Sequence, residues 1–149
     1  MRAASLADEE AALDLIEELF APPGARPDGY TRERGREGFR WAVQSASADV
    51  LVAVDGGTLV GLASVYVDFP AIRFGWRCYL QDLVVTASQR SRGTGRLLLD
   101  AATQWARERG CTHLDLDSGN GRQDAHRFYL AQGMAQGSLS FRRQVRVQS

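Results

Sequence analysis

The feature that most constrains the fold is a change of hydrophobic period at residue 94. Before it, residues 76–85 form an apolar stretch with the length and composition of a β-strand. From Thr94 the apolar residues instead recur at helical steps until Gly110, and a second strand pattern follows at residues 112–118. A strand, a helix and a strand in succession predict a right-handed crossover between parallel strands.

The rest of the chain predicts further strands and helices around the same sheet. Residues 49–54 and 59–69 have strand composition and are joined by the turn DGGT, so with residues 76–85 they predict an antiparallel meander. Further elements are predicted as a short first strand at residues 1–5, helices at about 5–20, 31–45 and 122–133, and a last strand at 138–147. This order predicts an α+β fold of α/β-like character, with residues 1–149 as a single domain.

Composition narrows the class of protein. The formal net charge is zero, which argues against a general nucleic-acid binder. No apolar stretch approaches the ~20 residues of a membrane span, and the first residues lack the apolar segment of a signal peptide, so we expect no membrane partner and a cytoplasmic location. Cys78 and Cys111 lack the spacing of a metal site, and we expect them to be free thiols and no metal to be bound.

The turn between strand and helix, RSRGTG at residues 90–95, is suited to binding an anion. A helix that begins near Thr94 exposes backbone N–H groups without helical partners at the positive end of its dipole. Gly93 and Gly95 let a bulky anion approach the backbone closely. Three arginines add positive charge: Arg90, Arg92 and Arg96. Neither a Walker loop nor a complete dinucleotide fingerprint is present, so these residues alone leave open both a solvated turn and a phosphate site.

A second pattern, RQDAHRFYLAQGM at residues 122–134, favours the phosphate site. With VTASQRSRGTG at residues 85–95, it resembles the two signatures of the GNAT family of N-acyltransferases. The second signature, A-x-x-F-Y-x-x-x-G-F, is matched here by Ala125, Phe128, Tyr129, Gly133 and Met134. A helix and a strand separate the two signatures, as the family requires, and the resemblance covers essentially the whole chain. It implies a GNAT-type mixed sheet of six to seven strands flanked by about four helices.

The resemblance also implies acetyl-coenzyme A (acetyl-CoA) as the acyl donor. Its pantetheine arm would lie in a gap beside a splayed strand and pair with the main chain of Leu83, Val84 and Val85. An N–H near Leu83 or Val84 would polarise the thioester carbonyl. The pyrophosphate would rest on the amides of the turn, which comprises Arg90, Ser91, Arg92, Gly93, Thr94, Gly95 and Arg96.

Two departures from the family pattern concern the cofactor. Ser91 replaces a glycine that often follows the arginine of the first signature. Arg122 stands where the family often has an asparagine that contacts coenzyme A, and Asn120 lies two residues earlier. Either Asn120 or Arg122 is therefore a candidate contact for coenzyme A.

Two residues are candidates for the chemistry. Tyr129 falls where the family usually places its general acid, and a phenol with a pKa near ~10 stays protonated at neutral pH and can donate to a leaving thiolate. Asp82 is the first candidate for the general base that deprotonates the substrate ammonium, directly or through water. A purely polar strand residue and an electrostatic partner for the cation are equally open for Asp82, and Asp115 and Asp117 are alternative bases.

The expected function is transfer of an acetyl group from acetyl-CoA to a primary amine by direct attack in a ternary complex. The alternative is a catalytically inactive GNAT domain that binds acetyl-CoA as a sensor or interaction module. The acceptor, a small-molecule or peptide amine, stays open, and so does the oligomeric state, for which a homodimer is a candidate because it is common among similar proteins. We expect residues 22–40 and 135–138 to shape the acceptor site, with aromatic candidates Tyr30, Phe39, Trp41, Phe69 and Trp76.

Overall fold

The computed structural model describes residues 1–68 and 70–146. Phe69, an aromatic candidate for the acceptor site, and Val147, the end of the predicted last strand, lie outside these residues. The elements in chain order are β1 (Arg2–Ala3), α1 (Glu9–Glu18), α2 (Arg32–Gln44), β2 (Ala48–Asp55), β3 (Thr58–Val67), β4 (Arg77–Val85), α3 (Thr94–Glu108), β5 (His113–Asp115) and α4 (Gln123–Ala131). Short 3-10 turns at Leu6–Asp8 and Ala87–Gln89 precede α1 and follow β4.

The strands form one mixed sheet in the order β1-β2-β3-β4-β5. The first four strands pair antiparallel, and β4 pairs parallel with β5 through the crossover helix α3, as the sequence predicts. Gly56 and Gly57 both have positive φ (57° and 79°), which is the conformation that a tight hairpin turn between β2 and β3 requires. The predicted fold class is confirmed.

The number of strands is lower than expected. Five strands are present among the described residues, and the segment predicted as a last strand is not one of them. Its apolar side chains Leu139, Phe141 and Val145 are 74%, 91% and 94% exposed. Alternation predicts a strand only where a neighbouring strand supplies hydrogen bonds and a packed face, and within residues 138–146 the alternating side chains pack on neither.

Helices cover both faces of the sheet, so the hydrophobic core lies in two layers, one on each face. Helix α3 covers one face, where Leu98, Ala102 and Trp105 pack against Ala63 and Leu80. Helices α1 and α2 cover the other face, whose buried residues are Ala12, Leu15, Phe39, Val50, Val52, Leu62 and Val84. Successive residues of β2 therefore enter different layers, Leu51 and Ala53 on the α3 side and Val50 and Val52 on the other, as the period-two pattern predicts.

The pair α1 and α2 is joined by arginine–carboxylate contacts across its outer face. Arg32 of α2 reaches three carboxylates of α1, those of Glu10, Asp14 and Glu17, at 2.8–2.9 Å. Gly35 lowers the helix propensity of the α2 sequence, and it faces this interface. A Cβ at Gly35 would lie 2.8 Å from Cδ2 of Leu13. The helix therefore contains a glycine because the two helices approach closely at that point. Within the described residues, no helix has the length and apolar character needed to cross a membrane.

Candidate active site

The edge of β4 is paired over only part of its length. Strand β5 pairs with β4 at Arg77–Tyr79 and ends at Asp115. From Leu80 to Val85, β4 pairs with β3 alone within the described part of the chain. Because every strand residue carries one N–H and one C=O, this leaves main-chain groups directed into a gap beyond β5. Leu83, Val84 and Val85, predicted to contact pantetheine, lie along that gap.

A β-bulge interrupts β4 next to the gap. Ser64 of β3 pairs with Asp82 and the next residue, Val65, pairs with Leu80, so Gln81 is left without a partner. The extra residue changes which face the following side chains enter. As a result Cys78 and Leu80 pack on the α3 side, whereas Val84 packs on the α1 side.

The bulge also directs Asp82 into the layer under α1 and α2. Its carboxylate accepts a hydrogen bond from Oγ of Ser64 at 2.7 Å. Burial raises the pKa of Asp82, and the Ser64 hydrogen bond only partly opposes this because it stabilises the charged form. A carboxylate with a raised pKa is a stronger proton acceptor than an ordinary one, which fits the predicted base role.

Asp82 lies on the wall of a cavity of about 280 Å³ between the sheet and α2. Phe39 and Trp41 of α2, Tyr66 of β3 and the unpaired Gln81 also contribute to this wall. Two of the five aromatic candidates for the acceptor site, Phe39 and Trp41, therefore do line a cavity. Tyr30 instead packs against Phe20 and donates its hydroxyl to Glu17.

The turn after β4 has the backbone conformation that its glycines suggest. Gly93 is the N-cap of α3 with φ of 84°, and the helical hydrogen bonds begin with Leu97 N–H donating to the Gly93 carbonyl. The amides of Thr94, Gly95 and Arg96 thus precede the helical bonding pattern and are free to meet an anion. Ser91 also has positive φ, at 64°.

The arginines of the turn differ in their contacts. Arg90 folds back, and its Nε donates to the Val85 carbonyl at the end of β4 at 3.1 Å. Arg96 is 70% exposed and lies 3.9 Å from the carboxylate of Asp100. Arg92 is exposed as well. Arg90 therefore fixes the turn to the strand, and Arg92 and Arg96 carry their charge on its surface.

Helix α4 packs directly against this turn. Cζ of Phe128 lies 3.4 Å from the place that a Cβ on Gly95 would occupy. Tyr129, the predicted general acid, follows Phe128, is half-buried, and its ring meets that of Phe128 edge-on with centroids 5.5 Å apart. Burial raises the pKa of Tyr129, with Arg122 opposing this, so the phenol is protonated at neutral pH.

The two candidate contacts for coenzyme A in the loop before α4 differ in their surroundings. Nη2 of Arg122 donates to the Leu19 carbonyl at the end of α1 at 2.8 Å. Asn120 is exposed. Arg122 therefore joins α4 to α1, and the side chain of Asn120 faces solvent.

The alternative bases lie at the β4–β5 junction and have partners there. Asp115 pairs with Arg77 at 3.3 Å, and Arg77 also pairs with Asp68 at 3.0 Å. Asp117 accepts a hydrogen bond from the hydroxyl of Tyr79. Of the three candidates, Asp82 is the one that lines the cavity.

Two features of the structure were not predicted from the sequence. The bulge at Gln81 depends on the pairing of β4 with β3, and no residue pattern indicates it. Ser118, three residues beyond β5, has a buried hydroxyl without a hydrogen-bond partner among the described residues. An unpartnered buried hydroxyl is costly to remove from water.

The site fits acetyl-CoA in its donor groups. The turn offers amides for the pyrophosphate, and the free edge of β4 offers main-chain groups for pantetheine. In the described residues, no group of three or more His, Cys, Asp and Glu side chains is arranged to hold a metal ion. Cys78 and Cys111 are free, and burial raises the pKa of Cys78 to about 12, so it is not a nucleophile at neutral pH.

Comparison with protein sequences identifies the family. The model of the Acetyltransferase (GNAT) family matches residues 12–134. YhdJ of Bacillus subtilis, described as an uncharacterized N-acetyltransferase, is 45% identical over 76 residues, which cover 50% of this chain and 54% of that protein. The chain thus spans about half the length of YhdJ. The aminoalkylphosphonate N-acetyltransferase of Salmonella typhimurium is 32% identical over 106 residues, which cover 71% of this chain and 69% of that enzyme.

Comparison with solved structures supports the same fold. The aminoglycoside N-acetyltransferase AAC(6')-Iy, solved in complex with coenzyme A, superposes with a TM-score of 0.83 and 18% identity, covering 97% of this chain and 93% of that chain. A transcriptional regulator from Bacillus halodurans superposes with a TM-score of 0.80 and 23% identity, covering 96% and 97%. At these identities the likeness concerns the fold alone. The family match over residues 12–134, together with the partly unpaired β4 and its glycine turn, shows that the chain belongs to the GNAT family of acetyltransferases.

Proposed function

We propose that the chain is an N-acetyltransferase that transfers the acetyl group of acetyl-CoA to a primary amine by direct attack in a ternary complex. The observation that carries this proposal is the free edge of β4, which runs into the glycine turn and the N-terminus of α3. A strand edge followed by an anion site suits a cofactor with an amide-containing arm and a pyrophosphate. The named relatives are consistent with it, because one acts on an aminoalkylphosphonate and a structural neighbour on aminoglycosides.

The residues have separate roles in this proposal. The main chain of Leu83, Val84 and Val85 binds the pantetheine arm, and the amides of residues 90–96 bind the pyrophosphate. Asn120 or Arg122 contacts coenzyme A from the loop before α4. When bound, acetyl-CoA supplies an activated thioester that an amine attacks without a further cofactor.

Proton transfer falls to two side chains. Asp82 accepts a proton from the substrate ammonium, directly or through water, and its raised pKa suits that task. An N–H of Leu83 or Val84 donates to the oxygen on which negative charge develops. The protonated phenol of Tyr129 donates its proton to the departing sulfur.

The same proposal includes the setting of the enzyme. Residues 1–149 act as one GNAT domain in the cytoplasm, which is consistent with the free thiols of Cys78 and Cys111, and pair as a homodimer. The zero net charge disfavours nucleic acid as a partner. A catalytically inactive sensor domain is disfavoured because a protonated tyrosine and a carboxylate with a raised pKa are both present.

The direct test is Tyr129→Phe, assayed by release of free thiol from acetyl-CoA across a panel of amines. General acid catalysis contributes about 10²–10⁴-fold, so we expect kcat at neutral pH to fall within that range while the Kd for acetyl-CoA is unchanged. Undiminished turnover would remove Tyr129 from the mechanism. Tight binding of acetyl-CoA without turnover of any amine would favour the sensor domain instead.

A further inference from the structure

The cavity beside Asp82 lies on the face of the sheet that α1 and α2 cover, whereas the turn that suits the pyrophosphate leads from β4 into α3, which covers the other face. Its floor is formed by β2, β3 and the bulged part of β4, and its wall by α1 and α2. Because the bulge directs Asp82 toward this layer, the candidate base faces the cavity rather than the α3 side. An amine bound in the cavity would therefore lie next to Asp82. At Asp82, β4 also borders the gap beyond the end of β5.

The lining of the cavity is apolar except near the bulge. The apolar residues that line it include Phe39, Trp41, Val50 and Leu62. Asp82 is the only charged side chain among the described residues that line it. An isolated charge is costly to remove from water unless an opposite charge meets it. One ammonium group would be matched by Asp82, but a second ammonium would lack a counter-charge and an anionic group would lack a cation.

Most acidic side chains of the neighbouring helices are already paired with arginine, and none of them is among the described residues that line the cavity. The carboxylates of Glu10, Asp14 and Glu17 are bound to Arg32, and that of Glu9 is bound to Arg40. These pairs lie across the outer faces of α1 and α2. A polycation would have to displace arginines that already neutralise them.

The size of the cavity favours a small ligand. Its volume of about 280 Å³ lies just below the roughly 300–1,000 Å³ of pockets that hold drug-sized ligands. Trp41, 61% exposed, provides an aromatic surface on the wall. Gly38 of α2 also lines the cavity, and a Cβ there would meet no atom within 4 Å. There is therefore open space beside Gly38 at this part of the cavity lining.

We propose that the acceptor is a primary amine carrying a single positive charge on a compact apolar body, bound in this cavity with its nitrogen at Asp82. This rests on the N-acetyltransferase function proposed above. It distinguishes the chain from enzymes that act on aminoglycosides, which are polycations, and on aminoalkylphosphonates, which carry an anionic group.

The first test compares four amines as substrates of the full chain with acetyl-CoA: phenethylamine, spermidine, kanamycin and aminoethylphosphonate. We expect kcat/KM for phenethylamine to exceed that of each of the others at least tenfold, because only this amine matches one carboxylate in an apolar wall. Preference for any of the other three would overturn the proposal. Binding of phenethylamine is measured in parallel by calorimetry. Binding without turnover would support the cavity as an amine site and count against the proposed catalytic function. Absence of binding would overturn the cavity as the amine site.

The second test fills the cavity with Gly38→Leu. The change favours the helix, so folding is retained. We expect the KM and the Kd for phenethylamine to rise at least tenfold and the Kd for acetyl-CoA to stay within twofold. Glu37→Leu is the matched control, since it adds the same side chain one position away on α2, outside the cavity lining. Equal effects of the two variants, or an unchanged KM in Gly38→Leu, would contradict the proposed site.

Discussion

At the scale of single residues, Ser91 shows how the turn after β4 is built. Its φ of 64° lies in the left-handed region, where glycine is favoured and residues branched at Cβ are strained. A glycine at this position, as in the family pattern that the sequence resembles, would carry no such strain. We expect Ser91→Val to lower the free energy of unfolding by about 1–3 kcal/mol, and Ser91→Gly to leave it equal or higher, measured by urea denaturation.

A control for Ser91 lies in the same loop. Ser88, in the short 3-10 turn Ala87–Gln89, is exposed and does not have positive φ. Ser88→Val should therefore be nearly neutral. A loss of stability in Ser88→Val equal to that in Ser91→Val would mean that the loop resists valine in general, and not that φ decides the effect.

Asp82 gives a prediction about pH at the same scale. Burial raises the pKa of Asp82 in the folded state above the ordinary carboxyl pKa of about 4. At pH values between these two pKa values, the folded chain binds more protons than the unfolded chain. Stability from this group is present at low pH and is lost as pH rises through that window. Asp82→Asn removes the penalty, so the variant should be more stable than the original chain at pH 7 and lose that advantage toward pH 4.

The activity of the Asp82 variant separates two roles. Urea denaturation at both pH values measures stability, and thiol release measures turnover. A base role predicts that Asp82→Asn loses turnover while it gains stability at pH 7. A variant that is less stable at pH 7 would show that the charged carboxylate stabilises the fold and that folding does not raise the pKa of Asp82.

At the scale of elements, two glycines of α2 make opposite predictions. A Cβ on Gly35 would lie 2.8 Å from Leu13 Cδ2, and Leu13 is only 3% exposed, whereas a Cβ on Gly38 would meet nothing within 4 Å. Gly38→Ala should raise the free energy of unfolding by about 0.5–1 kcal/mol through helix propensity. Gly35→Ala should lower it, because the buried Leu13 side chain has to shift to make room for the added Cβ. Denaturation of the two variants side by side checks this, and equal stabilisation would contradict the close approach.

The elements also show what could be predicted from the sequence. Periodicity indicated the meander, the crossover helix α3 and the helix that carries Tyr129, because local spacing reflects which face is buried. The bulge at Gln81 and the early end of β5 could not be predicted, because both depend on pairing between strands distant in sequence. The predicted last strand failed for the same reason. Residues 90–96 and Tyr129 could be proposed for the site from the two signatures, and they stay predictions. The cavity could not be predicted from the sequence.

At the scale of the whole molecule, the two binding regions that we propose lie on different faces of the sheet and meet at the bulge of β4. The turn and the free edge of β4 adjoin α3 and α4, whereas the cavity lies under α1 and α2. If each region binds one substrate, changes in the two regions should act on different kinetic constants. Arg92→Glu should raise the KM for acetyl-CoA, because it places a negative charge at the anion site, and Gly38→Leu should raise the KM for the amine.

The separation predicts additivity in the double variant. Changes without shared contacts usually add within about 0.3–0.5 kcal/mol in free energy. For each of the two substrates, the fall in kcat/KM of the double variant should therefore equal the product of the falls in the two single variants within about twofold. Arg107→Glu, which makes the same charge change at the far end of α3, is the control and should leave both KM values unchanged. Strong coupling between Arg92→Glu and Gly38→Leu, measured as a kinetic double-mutant cycle, would mean that the two regions form one site. The sheet would then not divide donor from acceptor.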